Sequence, residues 1–166
     1  MFGLFFRTAA QEKQYYPFIS DSIPVCLPLK KLSVTSSFGY RIHPITGKYT
    51  FHSGIDLKAN FDTVYAILPG IVKAGYDNLL GIYIIIEYGD LKLIYGHLSQ
   101  LFIMPGDVVE SGVPIARSGA TGRVTGPHLH FGVRYRQQCL NPLKFLHQIL
   151  IINSNYHEQT TKQAAL

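Results

Sequence analysis

The 166-residue sequence predicts a mainly β fold, an antiparallel sheet or sandwich, with one short helix near the C-terminus. Three observations carry this expectation. Between Val34 and Arg136 the chain is a succession of short runs rich in β-branched and aromatic residues. The runs are broken by turn residues centred on glycine, at Gly70, Gly81, Gly89-Asp90, Pro105-Gly106, Ser111-Gly112 and Gly119 to Gly122. After Asn141-Pro142 the apolar spacing changes, and Leu143, Leu146, Ile149 and Leu150 recur at helical intervals. Strands this short and frequent favour antiparallel pairing in a sheet that packs or curls on itself. With 47% hydrophobic and 15% charged residues, the chain can bury one substantial core, and nothing divides that core in two.

Taken in order, residues 1–33 read as an N-terminal arm. MFGLFFRTAA has an apolar patch broken by Arg7 and followed by small residues, as in the tail of a secretory signal without its charged head. Gln11 to Lys31 carries Pro17, Pro24 and Pro28 and is expected to cross the surface as extended chain. The domain itself is predicted over 34–152. Its strands fall at Ile71 to Gly75, Ile82 to Tyr88, Leu91 to His97, Val108-Val109, Ile115 to Ser118 and Leu129 to Tyr135. Gly89-Asp90 predicts a tight hairpin, and 153–166 reads as a polar tail. No run reaches the ~18 apolar residues of a membrane span. The net charge of +5 favours anionic surroundings. There is no dense Lys/Arg run with interleaved aromatics, so a nucleic-acid groove is not supported. Cys26 and Cys139 lack metal-site spacing; in an exported protein they are candidates for a disulfide.

The chemistry is concentrated in Phe51-His52-Ser53-Gly54-Ile55-Asp56-Leu57, where an imidazole and a carboxylate stand four residues apart across a glycine. A metal held by both needs the two ligand atoms within a few ångströms of each other. Regular strand would separate the two Cα atoms by roughly 13 Å, so the backbone must bend, and Gly54 is expected to supply the bend. A third ligand must come from elsewhere. In Gly126-Pro127-His128-Leu129-His130-Phe131 the two histidines are two residues apart, so on a strand they share a face about 6.6 Å apart. One can ligate while the other stands beside the bound water. His97, at the end of an apolar run, is the other candidate.

These three motifs, His-x-x-x-Asp, a lone histidine and His-x-His in that order, resemble those of the M23 family of zinc metallopeptidases, the LytM or lysostaphin type. The likeness runs from about Ser36 to Pro142 and takes in SSFGYRIHP, TGPHLHF and the closing Asn-Pro. The resemblance implies an open groove on the antiparallel β fold and one zinc ion held by His52, Asp56 and His130. It also implies His97 and His128 as catalytic histidines, and the peptide stems or bridges of peptidoglycan as substrate, hence a periplasmic or secreted location. Arg41, Tyr95 and Arg123 lie next to the motifs and are candidates to hold substrate carboxylates or an oxyanion. His43 is a further candidate ligand or substrate contact, with a loop role favoured. One departure is Gly132, where many relatives carry an acidic residue.

Three protein ligands leave one position of a tetrahedral shell open, which marks a catalytic site, since four would mark a structural one. Two other function classes compete with this reading. Some family members have lost zinc ligands and act as adaptors that bind the cell wall or activate amidases, but all five polar positions are filled here. A lipoyl- or biotinyl-type carrier domain would explain the glycine-spaced hairpins, yet Lys73 and Lys92 lack the flanking residues of such a tip and the histidines would go unexplained.

Overall fold

The computed structural model describes residues 23–42 and 47–151. The strands are β1 (Val34–Ser36), β2 (Gly39–Ile42), β3 (Tyr49–His52), β4 (Gly54–Lys58), β5 (Thr63–Tyr65), β6 (Gly70–Asp77), β7 (Gly81–Tyr88), β8 (Leu91–Leu101), β9 (Val108–Val109), β10 (Pro114–Ser118), β11 (His128–Tyr135) and β12 (Gln138–Leu140). One helix, α1, covers 142–151. The larger sheet runs β1-β4-β11-β8-β7-β6-β9, with β12 beside β11 and β10 joined to both β8 and β5. Its pairings are antiparallel. β2 and β3 form a two-stranded sheet of their own. The signal-like stretch, His43 and the polar tail lie outside the described residues.

The expected mainly β architecture is therefore present, and the six predicted strands all form, several of them extended at their ends. Gly89-Asp90 joins β7 to β8 as expected: Tyr88 pairs with Leu91, and Gly89 has φ of 57°, the left-handed conformation such a two-residue turn requires. The sequence did not mark β1 to β5 or β12, none longer than five residues.

The core lies on one face of the central strands. In β11 Leu129, Phe131 and Val133 are fully buried, and in β4 Ile55 and Leu57 are, each alternating with residues of the opposite face. Phe131 packs against Tyr95 at 5.5 Å between ring centroids and against Phe145 of α1 at 6.4 Å. α1 is capped by Asn141, whose Oδ1 accepts the N–H of Leu143 at 3.0 Å and of Lys144 at 3.4 Å, with Pro142 in the first turn. Its buried stripe is Phe145, Leu146 and Ile149, while Leu143 and Leu150 face solvent. The helix was legible, but Phe145 rather than Leu143 anchors it, because the larger ring fills the space beside Phe131.

Two further expectations differ from the structure. Residues 25–29 are not a loose surface arm: Val25 and Leu29 are buried in the core. Cys26 N–H donates to Ile67 O at 3.1 Å and Tyr65 N–H to Pro28 O at 3.0 Å, so extended chain is stitched to the domain edge. Cys26 and Cys139 are both free, and the candidate disulfide is absent.

Candidate active site

The site is built on the face of β4, β8 and β11 that is turned away from the core. Leu129 and Phe131 point inward, so His128 and His130 point outward, and in β4 Asp56 does the same between Ile55 and Leu57. The register places His130 directly opposite Asp56. His52 comes from the other sheet, at the end of β3, and Ser53 is the bend that brings it back over β4. Gly54, expected to supply that bend, has no unusual backbone angle. It is needed for space, because a Cβ there would stand 2.6 Å from the His130 ring and from the Phe131 carbonyl oxygen.

Three ligand-capable atoms meet. His52 Nε2 lies 3.2 Å from His130 Nδ1 and 3.3 Å from Asp56 Oδ1, and His130 Nδ1 lies 3.1 Å from the same oxygen. Ligands about 2.0–2.1 Å from a tetrahedral ion stand about 3.3 Å apart. The triangle thus matches one face of such a shell, and the residues present fit a metal ion. His52 Nδ1 is 2.8 Å from Ser37 O and must carry the ring proton, since a carbonyl only accepts. That fixes the tautomer and leaves the Nε2 lone pair toward the triangle.

His97 and His128 flank the triangle with the same orientation. His97 Nδ1 donates to Thr121 O at 2.9 Å and His128 Nδ1 to Gly126 O at 2.9 Å, so both Nε2 atoms carry free lone pairs. Their rings stand 4.6 Å apart, and His128 Nε2 is 3.6 Å from Asp56 Oδ1. How His97 reaches the groove is not apparent from its run. Strict alternation through Leu91, Leu93 and Tyr95 would send it into the core. Between the pairs Ile84↔Tyr95 and Ile82↔Leu98, however, β8 advances one residue more than β7. His97 itself takes φ of 60°, and its N–H donates to Leu80 O at 2.7 Å. This β-bulge turns the imidazole to the opposite face.

The same parity corrects one candidate. Tyr95, expected at the substrate, precedes the bulge and is fully buried, its hydroxyl accepting the N–H of Ile67 at 3.2 Å. Burial also pushes its phenol above the usual range. Arg41 and Arg123 both line the groove. Arg41 places a guanidinium nitrogen 3.8 Å from Asp56 Oδ2, and its Nε is buried with no hydrogen-bond partner among the described residues. Sequence reasoning missed Thr121. Its carbonyl orients His97, and its hydroxyl donates to Leu98 O at 2.7 Å and accepts from Ile82 N–H at 3.0 Å, pinning the bulge. Only its place between glycines hinted at a role.

Residues 50–142 match Peptidase family M23, a span that contains His52, Asp56, His97, His128 and His130 but neither Arg41 nor Ser37. The chain belongs to that family. It is 38% identical over 122 residues to DD-carboxypeptidase/endopeptidase Mpg of Neisseria meningitidis, covering 70% of this chain and 27% of Mpg. It is 34% identical over 142 residues to the peptidoglycan DD-endopeptidase ShyA of Vibrio cholerae, covering 81% of this chain and 33% of ShyA. The crystal structure of a zinc-containing peptidase from Vibrio cholerae is similar with a TM-score of 0.65 at 36% identity, over 69% of this chain and 37% of that one. The chain thus spans about a quarter to a third of the length of these curated relatives.

Charge in this M23 site is set by burial and close contacts. Burial raises the Asp56 carboxyl, but hydrogen bonds and charge from His130 and His52 outweigh it, holding the group far below the usual carboxylate range. Burial pushes His130 down despite Asp56, and it pushes His97 down to about 4 against the pull of the Thr121 carbonyl. The carboxylate is anionic and these two imidazoles neutral, as metal binding and base catalysis require.

An imidazole with a folded pKa below its unfolded ~6.5 binds protons more readily when unfolded. Its stability contribution is present above about pH 6.5 and is lost as pH falls toward the folded value. The urea midpoint of the metal-free protein is therefore expected to drop between pH 6.5 and about 4, and to drop less in His97→Asn. Equal slopes in the two proteins would remove His97 as the cause. Gly54→Ala is expected to push the His130 ring off the triangle, costing about 1–3 kcal/mol of stability and weakening metal binding. Calorimetric metal titration and thermal unfolding check both effects; unchanged affinity would show that the ring has room to shift.

Proposed function

We propose that the protein is a zinc-dependent endopeptidase that hydrolyses amide bonds in peptidoglycan stem peptides or cross-bridges, acting in the cell envelope as a periplasmic or secreted enzyme. The observation that carries this reading is the near-equilateral triangle of His52, Asp56 and His130, opening on a groove in which two more histidines present free Nε2 lone pairs. The zinc-containing relative supports the choice of ion, and the peptidoglycan relative supports the substrate.

His52, Asp56 and His130 would hold the ion; when bound, zinc supplies Lewis-acid polarisation of the amide carbonyl and lowers the pKa of water toward ~7. The chain's own residues handle the proton. Nε2 of His97 or His128 accepts it from the attacking water. The resulting imidazolium returns it to the leaving nitrogen as the C–N bond breaks, giving a carboxylic acid and an amine. The second imidazole, whose Nε2 is likewise an acceptor, takes a hydrogen bond from the same water and holds it for attack. Arg41 and Arg123 line the groove and would hold substrate carboxylate or carbonyl oxygens.

Digestion of purified sacculi of differing cross-link chemistry, with and without chelator, tests the proposal, with products identified by mass. New amine and carboxyl termini at one type of peptide bond are expected, and none in chelator. Intact sacculi with metal-loaded protein, or undiminished digestion in excess chelator, would overturn it.

A further inference from the structure

Beside the groove lies a second cavity of about 600 Å³, walled by residues of the 29–33 and 58–65 stretches. Lys30, Lys31 and Lys58 all line it, and Asp62 is its only acidic lining residue among those described. The Asp62 carboxylate is engaged in its own turn, accepting the N–H of Asn60 at 2.8 Å. None of the three lysines has a carboxylate within ion-pair distance among the described residues. Three lysines against one carboxylate around a concavity leave a net positive potential that an anion can neutralise.

The position of this cavity follows from the sheet. In β4 the inward residues are Ile55 and Leu57, so Lys58 shares the outward face with Asp56. The β4–β11 register sets His130 opposite Asp56 and His128 opposite Lys58. Directly opposed residues have Cβ atoms about 4.5–5.5 Å apart, so Lys58 stands next to His128, and about 7 Å along the strand from Asp56. An extended peptide advances at most ~3.3–3.6 Å per residue. With its scissile amide at the triangle, it would carry a group two or three residues away over the lysines.

We infer that this cavity is a subsite for a carboxylate of the peptide substrate, two or three residues from the bond that is cut. The inference rests on the endopeptidase reading. A lysine cluster binds phosphate as readily as carboxylate, but continuity with the groove along β4 favours a group carried by the same peptide. Tyr65 and Asn60 line the same cavity, and their side chains carry the hydroxyl and amide donors that would complete the contacts.

The test uses metal-loaded protein and pairs of soluble cross-linked peptides, identical except that the carboxylate at this distance, on one side of the bond or the other, is free or amidated. The free acid is expected to have a kcat/KM about fivefold to tenfold higher for one side, the difference lying in KM and shrinking above ~0.5 M salt. K30Q/K31Q/K58Q, altered only at exposed positions, is expected to treat acid and amide alike, and the triple arginine variant to keep the preference. A preference that persists in the glutamine variant, or wild-type cleavage of both peptides at equal rates, would overturn the inference. Binding of the same peptides, followed by calorimetry, separates the two readings. Discrimination in binding without cleavage supports the subsite and sinks the endopeptidase assignment, whereas no discrimination in binding sinks the subsite. If inorganic phosphate competes at concentrations where acetate does not, a phosphate-bearing ligand replaces the peptide carboxylate.

Discussion

Asp56→Ala is expected to lose both its metal and its hydrolytic activity. Asp56 is the one anionic corner of the triangle, and Oδ1 alone stands within 3.1 to 3.6 Å of a nitrogen of His130, His52 and His128. Removing it leaves uncharged imidazoles facing a dication and strands the Arg41 guanidinium, now 3.8 Å from the carboxylate, without its counter-charge. Loss of an outer hydrogen-bond partner alone costs metal affinity about 10–100-fold, so loss of a charged ligand is expected to cost at least about 100-fold. Metal content after dialysis, alongside digestion of sacculi, checks both. Full occupancy in the variant would take Asp56 out of the ligand set.

His97→Ala and His128→Ala are expected to keep the metal and lose activity by about 10²–10⁴-fold each, the usual contribution of a proton-transfer group. Both rings are held by backbone carbonyls through Nδ1 and contribute no atom to the triangle. The double variant is expected to fall little further than the more severe single one if the two act in one proton relay. Metal analysis and single-turnover rates separate the outcomes. A variant that loses metal as fully as Asp56→Ala would make that histidine a ligand.

Short-range spacing made the candidate polar groups of this site legible in the sequence, whereas the division of roles among them came only with the family resemblance. His-x-x-x-Asp and His-x-His each bring their polar atoms to one face through local geometry, and the Gly89-Asp90 hairpin and the Asn141-Pro142 helix start are equally local. What was not legible depends on long-range register. No pattern within Leu91 to His97 distinguishes Tyr95 in the core from His97 in the groove, because the extra residue in β8 is defined only against β7. Gly54 was noticed for the wrong reason: its value lies in the His130 ring that a strand 76 residues away sets above it. The stitching of Val25 and Leu29 into the core was likewise hidden by prolines that spoke only of extended chain.

The separation of β2 and β3 from the larger sheet has a dynamic consequence. Three of the five site groups, Asp56, His128 and His130, ride on β4 and β11 within one continuous backbone ladder, and His97 on the neighbouring β8. His52 rides on a hairpin that shares no ladder hydrogen bond with them. A bound ion would therefore add a clasp between two sheets otherwise joined through Ser53 and by side-chain contacts such as Arg41 with Asp56 and His52 with Ser37 O, and its binding free energy would lower how often the hairpin lifts. Amide hydrogen exchange in 39–42 and 49–52 should quicken when metal is withdrawn while β7 and β8 stay protected, so that the groove widens and narrows with metal occupancy without the core taking part.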